Sequence, residues 1–196
     1  MPATTDTAPL LKRIRRNRTP AETLKALDEA DFNTSYDMLR TWGADMVARG
    51  ETAQAIATLE ETAAYISSLP VQAEGHTLDI HAAIMQILTA LSIEQSDMER
   101  AASTAASALS LLAQTPKRKD TPFLQLLGSL LNDIAFLHSE RHEYKQAERE
   151  IEKSIKIFER LARTDADRYA PAHVMTLNGA TAIYRNRVKQ AELLAH

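Results

Sequence analysis

Apolar residues recur at helical spacing along most of the chain. In "SYDMLRTWGADMVARG", Leu39, Trp42, Gly43 and Met46 fall on one stripe. Gly50 then suits a left-handed helix end. The next stretch, "ETAQAIATLEETAAYISSL", turns Ile56, Leu59, Ala63 and Ile66 inward, and Pro70 closes the pair. "DIHAAIMQILTALSIEQ" starts a second pair, and Ser96 to Glu99 reads as a capping box opening its second helix. Thr121-Pro122 reads as a cap followed by a first-turn proline. Behind it, "LLGSLLNDIAFLHSE" and "EYKQAEREIEKSIKIFERLAR" form a third pair. Thr19-Pro20 with Glu22 repeats that start signal for a short leading helix. No run alternates as a strand would.

The pairs are spaced regularly. Ala55, Ala101 and Ala147 stand 46 residues apart, and Ala191 follows after 44. Pro70 and Pro116 keep the period of 46. Twelve residues before each marker alanine stands Gly43, Thr89, Ala135 or Gly179, all small or fairly small. A small residue on each of two antiparallel helices lets the backbones approach, and larger neighbours fill the grooves. Each pair leaves apolar surface for the next to cover. The expected fold is all-α: a right-handed superhelical solenoid of antiparallel pairs, about seven or eight helices in all. Its units fall at about 34–70, 75–116, 121–164 and a partial or capping unit at 168–196, within a repeat domain covering 19–196. After Ala191 only five residues remain, too few for a second helix. The last segment, roughly Pro171 to Leu194, is then one long capping helix, or the chain is part of a longer array.

These positions resemble the tetratricopeptide repeat family. Leu39, Trp42, Gly43, Gly50, Ala55, Leu59 and Pro70 follow the order of its signature, and the third unit matches through Leu131, Ile134, Ala135, Ala147, Ile151, Ser154 and Ile155. The period of 46 exceeds the family's usual length of about 34, so helices or loops must be longer. HEAT and armadillo arrays have periods nearer this one. The resemblance implies that the first helices of the pairs line a concave groove taking peptides or partner helices. Along them one polar position repeats every 46 residues: Arg40, Gln86, Asn132 and Asn178. It reads as a ladder of hydrogen-bond donors suited to a peptide backbone or carboxylate, and equally as ordinary polar surface. Ala44, Ala90, Phe136 and Ala182 would form the apolar floor. Ala44 stands where a chaperone-binding member's carboxylate clamp would place Asn, which argues against chaperone tails.

Composition narrows the chemistry. The chain has 196 residues and no cysteine, which removes disulfides, Cys-ligated zinc and thiol catalysis. That fits a cytoplasmic setting. No apolar run approaches the length of a membrane span. The net charge of −3 argues against a nucleic-acid binder over its whole length. Residues 1–18 form a basic, flexible lead-in whose Lys12, Arg13, Arg15, Arg16 and Arg18 could touch nucleic acid or an acidic partner. His138 and His142 have a spacing usable by metal ligands, but a turn is expected between them, and no third ligand stands in reach. No phosphate loop, nucleophile elbow or zinc-protease motif is present. The expected function is non-enzymatic: a scaffold or adaptor needing no cofactor or metal, with a protein or peptide ligand. The alternative is a sensor module acting through the basic segment. A second copy could cover an exposed end of the array, giving a homodimer.

Overall fold

The computed structural model describes residues 19–69, 76–114 and 120–195. Among these it contains eight α-helices and no strand, so the all-α class and the helix count follow the periodicity. The chain divides into two compact units, Met1–Lys117 and Arg118–His196. Pro70 and Pro116 lie outside the described residues.

In the first unit, α1 (Pro20–Asp28) begins with the expected capping box. The Thr19 hydroxyl accepts from the Glu22 amide at 3.3 Å, and the Glu22 carboxylate accepts from the Thr19 amide at 3.1 Å. Asp31 caps α2 (Phe32–Ala48) by accepting from the Thr34 amide at 3.1 Å. α3 (Thr52–Ser68) buries Ala55, Ile56, Leu59, Ala63 and Ile66. α4 (His76–Glu94) is covered on nearly every side, as its almost uninterrupted apolar sequence requires. It packs against α2, α3 and α5 (Met98–Gln114). α5 reaches it through buried Ala101, Ala105, Ala108 and Leu112, and Thr89 and Thr104 hydrogen-bond across the pair at 2.9 Å.

One small residue has a different role from the one its spacing suggested. A Cβ at Gly43 would meet Ile87 Cγ2 at 3.4 Å and Leu91 Cδ2 at 3.8 Å, both on α4. Gly43 therefore admits the next pair's helix rather than its own partner. Accordingly α2 packs more extensively on α4 than on α3.

The second unit contains α6 (Thr121–Glu140), α7 (Tyr144–Thr164) and α8 (Ala166–Leu194). Asp120, not Thr121, caps α6, accepting from the Phe123 amide at 3.1 Å; its carboxylate reaches the third amide, leaving Thr121 in the first turn. α6 and α7 form an antiparallel hairpin. Near the turn, Ala135 joins Tyr144, Ala147 and Ile151 in one cluster. Farther away, the Ser154 hydroxyl donates to the Gly128 carbonyl at 2.8 Å. α8 completes the core through Ala180 and Ile183 beside that cluster and Tyr169 beside Phe158 and Leu161.

The repeat is visible in the turns themselves. Gly50, Ser96 and His142, each 46 residues apart, all have left-handed backbones, with φ of 72°, 58° and 60°. The following amides close onto the preceding helices alike: Glu51 to Met46 O at 2.8 Å, and Asp97 to Ser92 O and Glu143 to His138 O at 2.9 Å each. These are Schellman closures, which leave the next helix antiparallel to the last. Ser96 is thus the left-handed residue of the turn rather than the expected cap; Asp97 caps α5 by accepting from the Arg100 amide at 3.0 Å.

The fourth position of this series is Val188. A β-branched residue strongly resists the left-handed region, and the helix runs straight through it. α8 is consequently one helix of 29 residues, beginning at Ala166 behind an Asp165 cap, five residues before the expected start. Ala191 lies on that same helix, exposed, and is not a contact point between paired helices.

Candidate functional site

The four ladder residues occupy different environments. In the first unit Arg40 is exposed; its guanidinium lies 3.9 Å from the Asp37 carboxylate and 5.8 Å from the Tyr36 ring centre. Gln86 is buried at 4% exposure and accepts from the Tyr36 hydroxyl at 2.8 Å. The enclosure of α4 turns this polar position inward, so Gln86 satisfies a buried tyrosine rather than facing a ligand. In the second unit Asn132 is half-buried and donates to the Thr176 hydroxyl at 2.9 Å, tying α6 to α8. Asn178 is exposed, and Phe136 is 39% exposed, unusual for a phenyl ring. The ladder therefore does not present four equivalent donors. Lys12, Arg13, Arg15, Arg16 and Arg18 lie outside the described residues.

His138 and His142 make local contacts at the α6–α7 turn. A turn separates His138 from His142, as expected. His138 Nδ1 lies 2.6 Å from Glu143 Oε2, and His142 Nδ1 lies 3.0 Å from the Tyr144 hydroxyl. His81 is buried on α4, and burial lowers its pKa below the ordinary 6.5, keeping the ring neutral. Among the described residues no group of three His, Cys, Asp or Glu could hold a metal ion.

The second unit has a concave surface that sequence reasoning did not single out. A cleft of about 500 Å³ lies between the end of α6, the start of α7 and the last turns of α8, lined by Ser139, His142, Tyr144, Asn186, Lys189 and Leu193 among others. It is shaped by the repeating turn: the left-handed backbone at His142 sends α7 away, and the uninterrupted α8 projects past it. The cleft combines the Lys189 cation, hydroxyl and amide groups, and the apolar Leu193 and Leu194. One turn before Glu140, which also lines it, stands exposed Phe136. The only prior signal was the excess length of the last helix. In the first unit a smaller cleft of about 330 Å³ is bordered by Glu60, Asp97 and Arg100. There Arg100 engages Asp97 at 3.1 Å and Glu60 at 3.5 Å, so its one cation is already shared between two carboxylates.

Comparison with protein-family models, curated proteins and solved structures finds no match to this chain. Among the described residues no helix is long and apolar enough to cross a membrane. The class reached by fold and surface is an all-helical protein built from repeated helix hairpins.

Proposed function

We propose that this chain is a non-enzymatic interaction scaffold or adaptor of tetratricopeptide-like design, acting in the cytoplasm. Its ligand is a peptide or a partner helix bound in the cleft of the second unit. The observation that carries the reading is the cleft itself, with an exposed aromatic one turn beyond its wall and a cation at its rim. Peptide recognition uses such a combination: apolar side chains contribute affinity, while a few polar groups fix direction. Lys189 suits a carboxylate, either the ligand's terminus or an acidic side chain. Arg40 and Gln86 have no part in this surface.

The test is selection of peptides from a random library on the immobilised chain, followed by fluorescence polarisation. Selected peptides should share an apolar anchor and an acidic group. Phe136→Ala and Lys189→Glu should each weaken binding about tenfold, the effect of losing one anchor or ion contact. Peptides that bind both variants as they bind the parent would refute the cleft. A second reading rests on the five basic residues between Lys12 and Arg18, which suit nucleic acid. Salt-sensitive DNA binding abolished by deleting that run would favour it.

A further inference from the structure

α8 has two apolar faces. One is buried, through Tyr169, Thr176, Ala180 and Ile183. The other carries Val174 at 54% exposure, Leu177 at 42%, Tyr184 at 40% and Val188 at 57%, with exposed Thr181 between them. Its members are spaced three, four, three and four residues apart, the pattern of a coiled-coil seam. Contiguous apolar exposure of this kind marks an interaction surface more often than scattered single residues do.

The repeat explains where this face comes from. Stepping forward 46 residues carries Gly128 onto Val174, Leu131 onto Leu177, Ala135 onto Thr181 and His138 onto Tyr184. On α6, Gly128 packs against Ile157 and Phe158 of α7, and Ala135 clusters with Ala147 and Ile151 of α7. On α4, Thr89, one period earlier than Ala135, bonds Thr104 of α5. The exposed seam is therefore a further copy of the face that the second and third pairs cover with their own second helix; at the same register in the first pair, Gly43 meets α4 instead. At Val188 the turn that would bring such a helix back is missing.

We propose that this seam pairs with the same seam of a second copy, α8 against α8 in antiparallel order about a two-fold axis. The seam is its own complement in size. With the axis between Thr181 and Tyr184, each Thr181 faces the second copy's Tyr184, each Leu177 its Val188, and each Val174 its Ala191. Large residues meet smaller ones in every layer, and the helix dipoles oppose. A parallel pair would set tyrosine on tyrosine and threonine on threonine, leaving alternate layers overfilled and empty. From Val174 to Val188 the seam spans about 21 Å at the rise of a helix. A single helix seam of this length is short for a specific interface, so the expected pair is weak and reversible, with a dissociation constant on the order of micromolar.

Sedimentation velocity from about 5 to about 200 μM spans that range. The expected result is a reversible monomer–dimer equilibrium. Leu177→Glu and Tyr184→Glu, both at exposed positions, should keep the helical circular dichroism while raising the dissociation constant at least about tenfold. The chain has no cysteine, so cross-linking can be read without background. When Thr181→Cys and Tyr184→Cys chains are mixed in a glutathione redox buffer, the mixed disulfide should predominate over either self-linked product. A parent chain monomeric at the highest concentration overturns the proposal. So does a dimer unaffected by Leu177→Glu or a predominance of self-linked product.

Discussion

Of three glycines within helices, Gly128 and Gly179 should respond in opposite directions to alanine, with Gly43 between them. Removing any helical glycine gains about 1 kcal/mol of helix propensity. What decides the sign is the space for a methyl group. At Gly128 the new Cβ would sit 2.9 Å from Phe158 Cε2, 3.0 Å from Ile157 Cγ2 and 3.2 Å from Phe158 Cζ. Phe158 is only 1% exposed, packed with Leu161 and Tyr169, and cannot swing away. The Ser154 bond to the Gly128 carbonyl at 2.8 Å also holds the two backbones together. Overpacking of this kind costs about 1–3 kcal/mol. Gly128→Ala should thus be destabilised by about 1 kcal/mol net, and Gly128→Val by about 3 kcal/mol, since valine adds two methyls and regains less propensity. At Gly179 the Cβ would lie 3.8 Å from Ile151 Cδ1, an ordinary contact, so Gly179→Ala should gain about 0.5–1 kcal/mol. Gly43, at 3.4 Å from Ile87 Cγ2, should come out near neutral. Urea unfolding followed by far-ultraviolet circular dichroism ranks the variants. If Gly128→Ala proves as stabilising as Gly179→Ala, the hairpin is not packed as closely as described.

Ser96→Gly should stabilise the chain by about 1 kcal/mol, because it removes the left-handed strain at φ 58° from an exposed site; thermal unfolding checks it. Tyr36→Phe should cost about 1–2 kcal/mol in urea unfolding by deleting the buried bond to Gln86. His81 should make stability fall in acid. Its folded pKa is depressed by burial below the ordinary 6.5, so its contribution is complete above that value and lost as pH falls through the folded one. Unfolding curves at neutral and acidic pH should show the loss, and His81→Leu should diminish it.

Much of the architecture was legible in spacing alone. The apolar stripes gave the helices of the pairs, and the markers at Ala55, Ala101 and Ala147 are all fully buried. What spacing could not give was direction. Gly43 and Gly128 are both small residues on the first helix of a pair, yet one admits α4 and the other α7. That choice depends on how large side chains on the surrounding helices stack in three dimensions. Within the first unit the polar register splits for the same reason: Gln86 is buried where Arg40 is exposed. Periodicity places Arg40, Gln86, Asn132 and Asn178 at one register, but α4 is enclosed where α2 is not. The cleft was invisible because it depends on where α8 ends relative to a turn, a tertiary relation carried by no local motif.

The departure of the last unit has a local cause with a long reach. The turn between paired helices needs one residue in the left-handed region. Glycine adopts it freely, and histidine is among the residues enriched there. Ser96 bears a cost of about 1–2 kcal/mol that the Schellman bonds around it offset. Valine at position 188 faces a larger penalty, since both γ-methyls crowd the backbone. Continuing the helix is the cheaper course. That single preference leaves Ala191 on the wrong helix to serve as a packing marker and carries α8 past the start of α7, forming the cleft wall. It also leaves Val174, Leu177, Tyr184 and Val188 exposed. Both candidate interaction surfaces of the second unit thus trace to the unbroken run of α8 through Val188.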